Sequence, residues 1–408
     1  MSLRTLAVTL AGALAAVHLL ALGARAQETR PMSPYISTPV VHENIALYFL
    51  RGQSAEGPVP LTLQEALSKG TVEVHETGSV RELRIENKGN EAVFVQLGDI
   101  VKGGRQDRVL QVSLLLQPNS GMVPIGAYCV ERGRWSARGK EDARRFALSE
   151  TMLPSREAKV AIARPASPSA DTPMAGLTRA PRSPIEAELE GRRLRQAVDD
   201  LARRQDAEAL MGRRHDGQQA QRVEQRTLGG SGRGDNQTEV WRSVDLVQQQ
   251  LSANLAAPIT SEQSRTSLQL SLENEKLKAA LEAFVAALEP KAAQGDDVLG
   301  VAVAINGRIA SADVYPSSGL FRKMWPKLVR AAATEAIASK GAGAAETPPT
   351  VEAVKAFLAE ADGGMDSQRT VGAVGQIETR EASKSLKVRA MAGAAAGARM
   401  VHESYLAK

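Results

Sequence analysis

The sequence predicts an α+β fold: a mostly antiparallel sheet core with packed helices, plus an inserted segment of low complexity and charged helical character. Three observations support this prediction. Short runs that alternate apolar and polar residues, separated by turn-forming residues, fill residues 39–135. Residues 237–408 show helical periodicity first and strand-like alternation at the end. Between these halves of one domain, residues 136–236 are rich in Ala, Pro, Ser and Arg and then in charged helix formers, which predicts a disordered linker and a charged helix.

The amino terminus predicts a secretory signal peptide at residues 1–26. Arg4 precedes a run of Leu, Ala and Val, and residues 24–26 (ARA) form a small-x-small cleavage pattern. The alternative is an uncleaved N-terminal anchor. Residues 27–38 predict a flexible lead. We therefore expect an exported protein, periplasmic or extracellular, that is not an integral membrane protein.

Turn-forming residues mark the ends of the predicted elements. A short helix is expected over residues 61–70, because its first residues fit a capping box. The sequences at 87–90 (NKGN) and 118–121 (PNSG) predict turns between neighbouring strands. Asn306-Gly307 is the strongest hairpin signal in the chain.

Composition excludes some classes of function. The 408-residue chain has a net charge of +5, and residues 131–234 contain 21 Lys or Arg against 15 Asp or Glu. Only 3% of residues are aromatic, so a surface that stacks nucleic-acid bases is not expected. The local positive charge is read as a solvated helical face, and no nucleic-acid partner is predicted.

Metal and thiol chemistry have little support in the sequence. The histidines outside the signal peptide show no paired spacing, so no metal and no cofactor are predicted. Cys129 is the single cysteine and lies in a strand-like stretch. We expect it to be a small buried hydrophobe, and the alternative is a reactive thiol.

Residues 98–108, GDIVKGGRQDR, form the most distinctive polar stretch of the chain. Gly103 and Gly104 allow positive φ, and successive N–H groups in such a turn can form an anion-binding nest. Lys102, Arg105 and Arg108 flank the turn with positive charge. Arginine can bind phosphate or carboxylate through two parallel hydrogen bonds, so this stretch predicts an anion site.

Other side chains of this stretch add hydrogen-bonding and acid–base capacity. Gln106 can donate and accept, while Asp99 and Asp107 could orient the arginines, hold a cation or act as a base. A second polar block follows two strands later at CVERGRW. If the intervening strands pair in an antiparallel manner, Glu131 and Arg134 would face the glycine loop.

Trp135, at the end of this second block, could form one wall of a pocket beside the glycine loop. Three functions remain open. In a binding module, the loop recognises an anionic small molecule or an envelope partner protein. In a hydrolase-like enzyme, Asp99 or Glu131 is the general acid or base, and arginines stabilise a phosphate or oxyanion. In a structural role, the loop only stabilises the end of the sheet.

Several sequence blocks resemble the ARG and Rhodanese-Phosphatase-superfamily-associated protein domain. The similar blocks are GDIVKGGRQDR, VPIGAYCVERGRW, TEVW, VLGVAVAINGRIASADVYPSSGLFRKMW and HESY, and the resemblance covers about residues 40–135 and 237–405. The matching positions are Gly98, Asp99, Gly103, Gly104, Gln106 and Arg108, followed by Cys129, Glu131, Gly133, Arg134 and Trp135.

The family name implies a link to ADP-ribose or nucleotide-derived metabolites and leaves the activity open. The chain departs from the family pattern at Asp99, where glutamate is expected. Free nucleotides are scarce outside the cytoplasm, so the predicted export argues against an ADP-ribose ligand here. The residues themselves favour a binding module, because no nucleophile or metal set stands out.

Overall fold

The computed structural model describes residues 35–139, 141, 145–164, 236–293, 295–341, 347–371, 374–393 and 398–408. Over these residues it confirms an α+β fold with seven α-helices and eighteen strands. The predicted signal peptide, most of the flexible lead, and residues 165–235 with their charged helical stretch lie outside the described residues.

The elements of the described chain follow one another from Tyr35 to Ala407. The strands are β1 (Tyr35–Ile36), β2 (Val40–His42), β3 (Ile45–Arg51), β4 (Leu61–Thr62), β5 (Val72–Glu76), β6 (Glu82–Asn87), β7 (Val93–Val95), β8 (Asp99–Gly103), β9 (Arg108–Leu110), β10 (Leu114–Leu116), β11 (Gly121–Cys129), β12 (Phe146–Met152), β13 (Val298–Ile305), β14 (Arg308–Val314), β15 (Met365–Val371), β16 (Gly375–Glu381), β17 (Ser385–Ala392) and β18 (Arg399–Ala407).

The helices are α1 (Leu63–Ser68), α2 (Arg156–Ala163), α3 (Asn236–Asn254), α4 (Leu268–Leu272), α5 (Glu275–Leu288), α6 (Ser318–Ala338) and α7 (Val351–Asp362). A 3-10 helix, Glu289–Ala293, follows α5. None of the described helices combines the length and the apolar character needed to cross a bilayer.

Three sheets organise the strands. A nine-stranded sheet has the order β1-β3-β13-β14-β18-β17-β16-β15, with β2 also pairing with β3. A six-stranded sheet has the order β12-β8-β9-β11-β6-β5, and a three-stranded sheet has the order β10-β7-β4. Only β4 and β7 pair in a parallel manner among the described strands. The nine-stranded sheet joins strands from both ends of the chain.

Strand β3 shows why the nine-stranded sheet forms. Its odd-numbered residues, such as Leu47 and Phe49, belong to the large core that also contains helix α6. The even-numbered residues, such as Tyr48, belong to a second cluster that contains Val354 of helix α7. Side chains of a strand alternate between faces, so this strand is covered on both. Full burial of such an apolar side chain stabilises the fold by about 1.5–3 kcal/mol.

Two local predictions are confirmed. Helix α1 begins with a capping box, in which the Glu65 backbone N–H donates to the Thr62 hydroxyl and the Thr62 backbone N–H donates to the Glu65 carboxylate. The hairpin between β13 and β14 turns at Asn306 and Gly307, whose φ values are 50° and 71°. Positive φ at both central residues is the requirement of a type I′ turn.

Two other predicted turns do not join neighbouring strands. After residues 87–90 the chain leaves β6 for β7, which belongs to the three-stranded sheet, and after residues 118–121 it leaves β10 for β11. Both turns are crossings between sheets. The Asn87 side chain fixes them side by side, because its amide donates to the backbone oxygens of Glu91 and Gln117.

Regular secondary structure also follows residue 136, where the sequence predicts a linker. Strand β12 pairs with β8, with Phe146 opposite Gly103. Helix α2 follows and buries Val160 and Ile162. The dense charge around these elements hid their apolar alternation in the sequence. The six-stranded sheet is therefore completed by residues that the composition assigned to a linker.

Glu335 on α6 should make stability depend on pH. Burial raises the pKa of this carboxyl to about 7 from 4.5, although Lys159 and Arg156 of α2 partly counteract the effect. Because the pKa is higher in the folded state than in the unfolded state, the protonated carboxyl contributes to stability. This contribution is fully present below pH 4.5 and is lost as the pH rises through about 7. At pH 8 we expect the free energy of unfolding of Glu335→Gln to exceed that of the wild type by about 1–2 kcal/mol.

The measurement for Glu335→Gln is urea unfolding at pH 4.5 and pH 8. Glutamine resembles the protonated acid, so the difference from the wild type should shrink towards zero at the lower pH. An equal difference at both pH values would show that ionisation of Glu335 does not control stability.

Candidate functional site

The glycine stretch and the second polar block meet around two fully buried carboxylates, Asp107 and Glu131. Pairing of β9 with β11 brings them together, and the Asp107 backbone N–H donates to Glu131 Oε2 at 3.3 Å. Arg134 bridges both, with Nε 2.6 Å from Glu131 Oε2 and Nη2 3.4 Å from Asp107 Oδ1. Arg138 Nη1 lies 2.8 Å from Asp107 Oδ2. We call these four residues the buried ionic network.

The network uses most of its own hydrogen-bonding capacity. Asp107 accepts four hydrogen bonds, from the Gly103 N–H, the Ser267 hydroxyl and the two arginines. Ionic hydrogen bonds are about twice as strong as neutral ones, so Asp107 fixes the loop conformation. Glu131 Oε1 is different, because it is buried and has no hydrogen-bond partner among the described residues.

The predicted anion nest is already filled by the chain itself. The Gly103 N–H donates to Asp107 Oδ1, the Gly104 N–H donates to the Arg145 carbonyl, and the Arg105 N–H donates to Glu76 Oε1. These successive N–H groups are therefore not open to a ligand. The glycine loop supports the site and does not itself bind an anion in this conformation.

The glycines are required by crowding as well as by φ. Gly103 has a φ of 107° and Gly104 a φ of 55°. A Cβ on Gly104 would lie 2.3 Å from Phe146 Cζ, and one on Gly103 would lie 2.7 Å from the Arg145 carbonyl oxygen. Close approach of the loop to β12 therefore excludes larger residues at both positions.

Arg108, Arg105 and Trp135 form the edge of the network. Arg108 is fully buried, and its Nη1 donates to Gln106 Oε1 at 2.8 Å. The guanidinium carbons of Arg108 and Arg105 lie 5.3 Å and 5.5 Å from the centre of the Trp135 ring. Such cation–π contacts hold the indole in place. Gln106 in turn donates to the Glu131 backbone oxygen, so the two sequence blocks are joined.

Lys102 and Asp99 lie outside this arrangement. Lys102 forms an ion pair with Glu273, and both side chains are partly exposed. Asp99 is at the other end of β8, about 13 Å from Gly103 at the usual rise per residue. Its partner is Lys327 of α6. Strand β8 therefore separates Asp99 from Glu131, the two alternatives for a general acid or base.

An open pocket of about 690 Å³ lies beside the network. Its cationic lining residues are Arg132, Arg134, Arg138 and Arg265, and none of its described lining residues is acidic. Trp135 forms part of the wall. The remaining lining comes mainly from residues 133–139 and 263–266. We call this space the arginine pocket.

Three residues that contact the buried ionic network or line the arginine pocket were not predicted from the sequence. Arg138 lies in the stretch that was assigned to the linker, and Arg265 and Ser267 precede α4 in the second half of the chain. Nothing local marks Arg265 or Ser267 as site residues, because their position depends on how the halves pack. Arg138 could have been found as an extension of the ERGRW block.

Cys129 is buried, as expected for a small hydrophobe. Burial raises the pKa of its thiol, although the nearby Arg108 lowers it in part. The Gln237 side chain binds the Cys129 backbone on both sides, accepting from its N–H and donating to its oxygen at 2.9 Å each. A protonated, inaccessible thiol is not suited to nucleophilic chemistry.

A second polar cluster contains Ser113, His402 and Asp313. Ser113 Oγ lies 3.0 Å from His402 Nδ1, and His402 Nε2 lies 3.2 Å from Asp313 Oδ1. Serine, histidine and aspartate side chains that contact one another in this order are typical of hydrolases. Ser113 is only 2% exposed and also accepts from the Leu97 N–H. The cluster therefore ties strands together, and its serine is not accessible to a substrate in this conformation.

Three potential metal ligands meet on the β5–β6 hairpin, although no metal site was predicted. Ligand atoms of Glu73, His75 and Glu86 lie within 4.8 Å of one another. Lys88 Nζ already lies 2.8 Å from Glu73 and lowers the pKa of that carboxyl. Glu86 lies beside Glu73 and His75 because of the register between β5 and β6, and the spacing of histidines in the sequence does not reveal this register. The lysine supplies the positive charge that a cation would bring.

Comparison with known proteins identifies one family. The model of the ARG and Rhodanese-Phosphatase-superfamily-associated Protein domain matches residues 34–172 and 202–406. No curated protein and no solved structure is significantly similar to the chain. The matched ranges contain the whole buried ionic network, the arginine pocket, and the elements β12 and α2. The chain therefore belongs to the ARG and Rhodanese-Phosphatase-superfamily-associated Protein domain family.

Proposed function

We propose that the protein is an exported binding protein for an anionic ligand, which carries phosphate or carboxylate and is either a small molecule or an envelope partner. The observation that supports this proposal is the arginine pocket, with four arginines and no acidic residue in its described lining. Export rests on the sequence of residues 1–26. No nucleic-acid partner and no cofactor are part of the proposal.

The four arginines differ in their exposure. Arg134 and Arg138 are bound to Asp107 and Glu131, which neutralise most of their charge. Arg132 and Arg265 are exposed at the pocket surface. We therefore assign direct ligand contact to these two, and a positioning role to the buried ionic network.

Arg132 is held in a defined place. Its guanidinium carbon lies 5.6 Å from the centre of the Trp241 ring of α3, and its backbone oxygen accepts from the Thr266 hydroxyl at 2.7 Å. The second contact joins the two loops that carry Arg132 and Arg265. A preorganised guanidinium group can bind an anion at a lower entropy cost than a mobile side chain.

The test is a thermal-unfolding and calorimetric screen of the protein with nucleotides, ADP-ribose, sugar phosphates and cell-wall fragments. We expect one class of anion to bind, and Arg132→Gln/Arg265→Gln to bind it at least about tenfold more weakly, a loss of about 1.4 kcal/mol. The free energy of unfolding without ligand should fall by no more than about 1 kcal/mol, the usual contribution of an exposed cation–π contact such as that of Arg132 with Trp241.

A charge-matched control is Arg242→Gln/Arg308→Gln, which removes two exposed arginines elsewhere. If this control weakens binding as much as the pocket variant, the effect is only a change in net charge. In that case the arginine pocket is not the binding site.

One observation favours a second candidate, a hydrolase-like enzyme that acts on a nucleotide- or ADP-ribose-derived substrate. Glu131 Oε1 is buried without a hydrogen-bond partner among the described residues, as a general acid or base could be before substrate enters. Hydrolysis by the wild type, abolished in Glu131→Gln while ligand binding persists, would establish the enzyme. If a ligand binds and is not turned over, the hydrolase hypothesis is rejected and the binding function remains.

A further inference from the structure

Arg369, far along the chain from the arginine pocket, has two guanidinium nitrogens without a hydrogen-bond partner among the described residues. It lies on β15, an edge strand of the nine-stranded sheet, which pairs with β16 alone among the described strands. Its Nε and Nη2 atoms are buried and have no hydrogen-bond partner within the part of the chain that the structure describes. Burial lowers the pKa of the Arg369 guanidinium, and only the Tyr128 hydroxyl acts against this effect. A buried cation of this kind is costly unless it is paired.

The guanidinium borders a small pocket of about 200 Å³. The pocket lies between residues 369–371 of β15 and residues 124–126 of β11, and Gln111 lines it as well. A Cβ on Gly126 would lie 2.3 Å from Gln111 Oε1, so the glycine leaves space for this amide. The Gln111 amide can donate and accept hydrogen bonds. An unpaired guanidinium and a hydrogen-bonding amide therefore line the same cavity.

Phosphate and carboxylate groups match this lining. A guanidinium presents two parallel N–H donors to either group, and an amide N–H can add a third. We propose that this pocket is a second anion site, in which Arg369 binds the phosphate or carboxylate group of a small molecule and Gln111 donates a further hydrogen bond. It shares no lining residue with the arginine pocket. The proposal is therefore independent of the function proposed above.

No acidic residue of the described ranges forms an ion pair with Arg369. Glu82 also lines the pocket, yet it forms no ion pair with Arg369. Without an anion, removal of the charge should therefore stabilise the protein. In chloride buffer, Arg369→Gln is expected to unfold at a higher temperature than the wild type. An equal or lower unfolding temperature would mean that Arg369 is satisfied within the chain, and would overturn the proposal.

The second readout is binding of two probes, inorganic phosphate and malonate, to the full chain at constant ionic strength and pH. Wild type and Arg265→Gln should gain unfolding temperature in a saturable way with at least one probe, whereas Arg369→Gln should not. Phosphate alone, or malonate alone, would identify the group that is recognised. The proposal fails if neither probe shifts the wild type, or if Arg369→Gln responds as the wild type does.

Discussion

Replacement of Asp107 by asparagine is expected to lower the free energy of unfolding by about 3–5 kcal/mol, the range for breaking a buried ion pair. Asp107 is fully buried and accepts from the Gly103 N–H, the Ser267 hydroxyl, Arg134 and Arg138. Asparagine has only one acceptor oxygen. Its NH₂ group, in place of the second carboxylate oxygen, would face N–H or O–H donors with which it cannot form hydrogen bonds. Two buried arginines would also lose half of their shared negative charge.

Chemical denaturation, followed by fluorescence of the three tryptophans, measures this loss. The control is Glu273→Gln, which removes the carboxylate that pairs with Lys102 on the surface. The side chains of that pair are 33% and 35% exposed, so we expect a change of only about 0–1 kcal/mol. If Asp107→Asn costs no more than Glu273→Gln, the buried ionic network does not hold the loop.

The outcome for Asp107 also bears on function. Arg132 and Arg265 carry ligand contact in our proposal, while Asp107 holds the loop that carries Arg134. A variant at Asp107 should therefore lose much stability together with affinity, whereas the double variant of Arg132 and Arg265 should lose affinity with little loss of stability. This split separates a supporting residue from a contacting one.

Local signals in the sequence predict local structure well. The capping box at Thr62 and the turn at Asn306 act through neighbouring residues only, and both are confirmed. The turns at 87–90 and 118–121 have equally good turn-forming residues but join different sheets. Turn chemistry says that the chain reverses, whereas strand pairing depends on which apolar faces meet in the core. Sequence patterns alone do not contain that information.

In the candidate site, too, contacts between neighbouring strands could be predicted from the sequence and contacts between distant parts of the chain could not. The meeting of the glycine stretch with Glu131, Arg134 and Trp135 followed from antiparallel pairing of nearby strands, and the structure brings them together. The role of the glycine N–H groups did not follow, because Glu76 and Arg145, their acceptors, come from other parts of the chain. Charged residues close in sequence can be directed to opposite ends of one strand.

Asp99 is the clearest example of that separation, and it gives the second large expected effect. Asp99 and Lys327 form a buried ion pair, with side chains 1% and 6% exposed, that links strand β8 to helix α6. Asp99 Oδ2 also accepts from the Gln96 N–H. Lys327→Met leaves the carboxylate buried without its cation, and we expect a loss of about 3–5 kcal/mol in the free energy of unfolding.

A double-mutant cycle tests whether the Lys327→Met effect comes from the pair. Asp99→Asn removes the negative charge but keeps an acceptor for the Gln96 N–H, so the double variant contains no unpaired buried charge. We therefore expect Asp99→Asn/Lys327→Met to be more stable than Lys327→Met, as found when both charges of a buried pair are removed. Losses that simply add would mean that the two residues act independently. Partial recovery would show that Asp99 is a structural anchor between the halves of the fold.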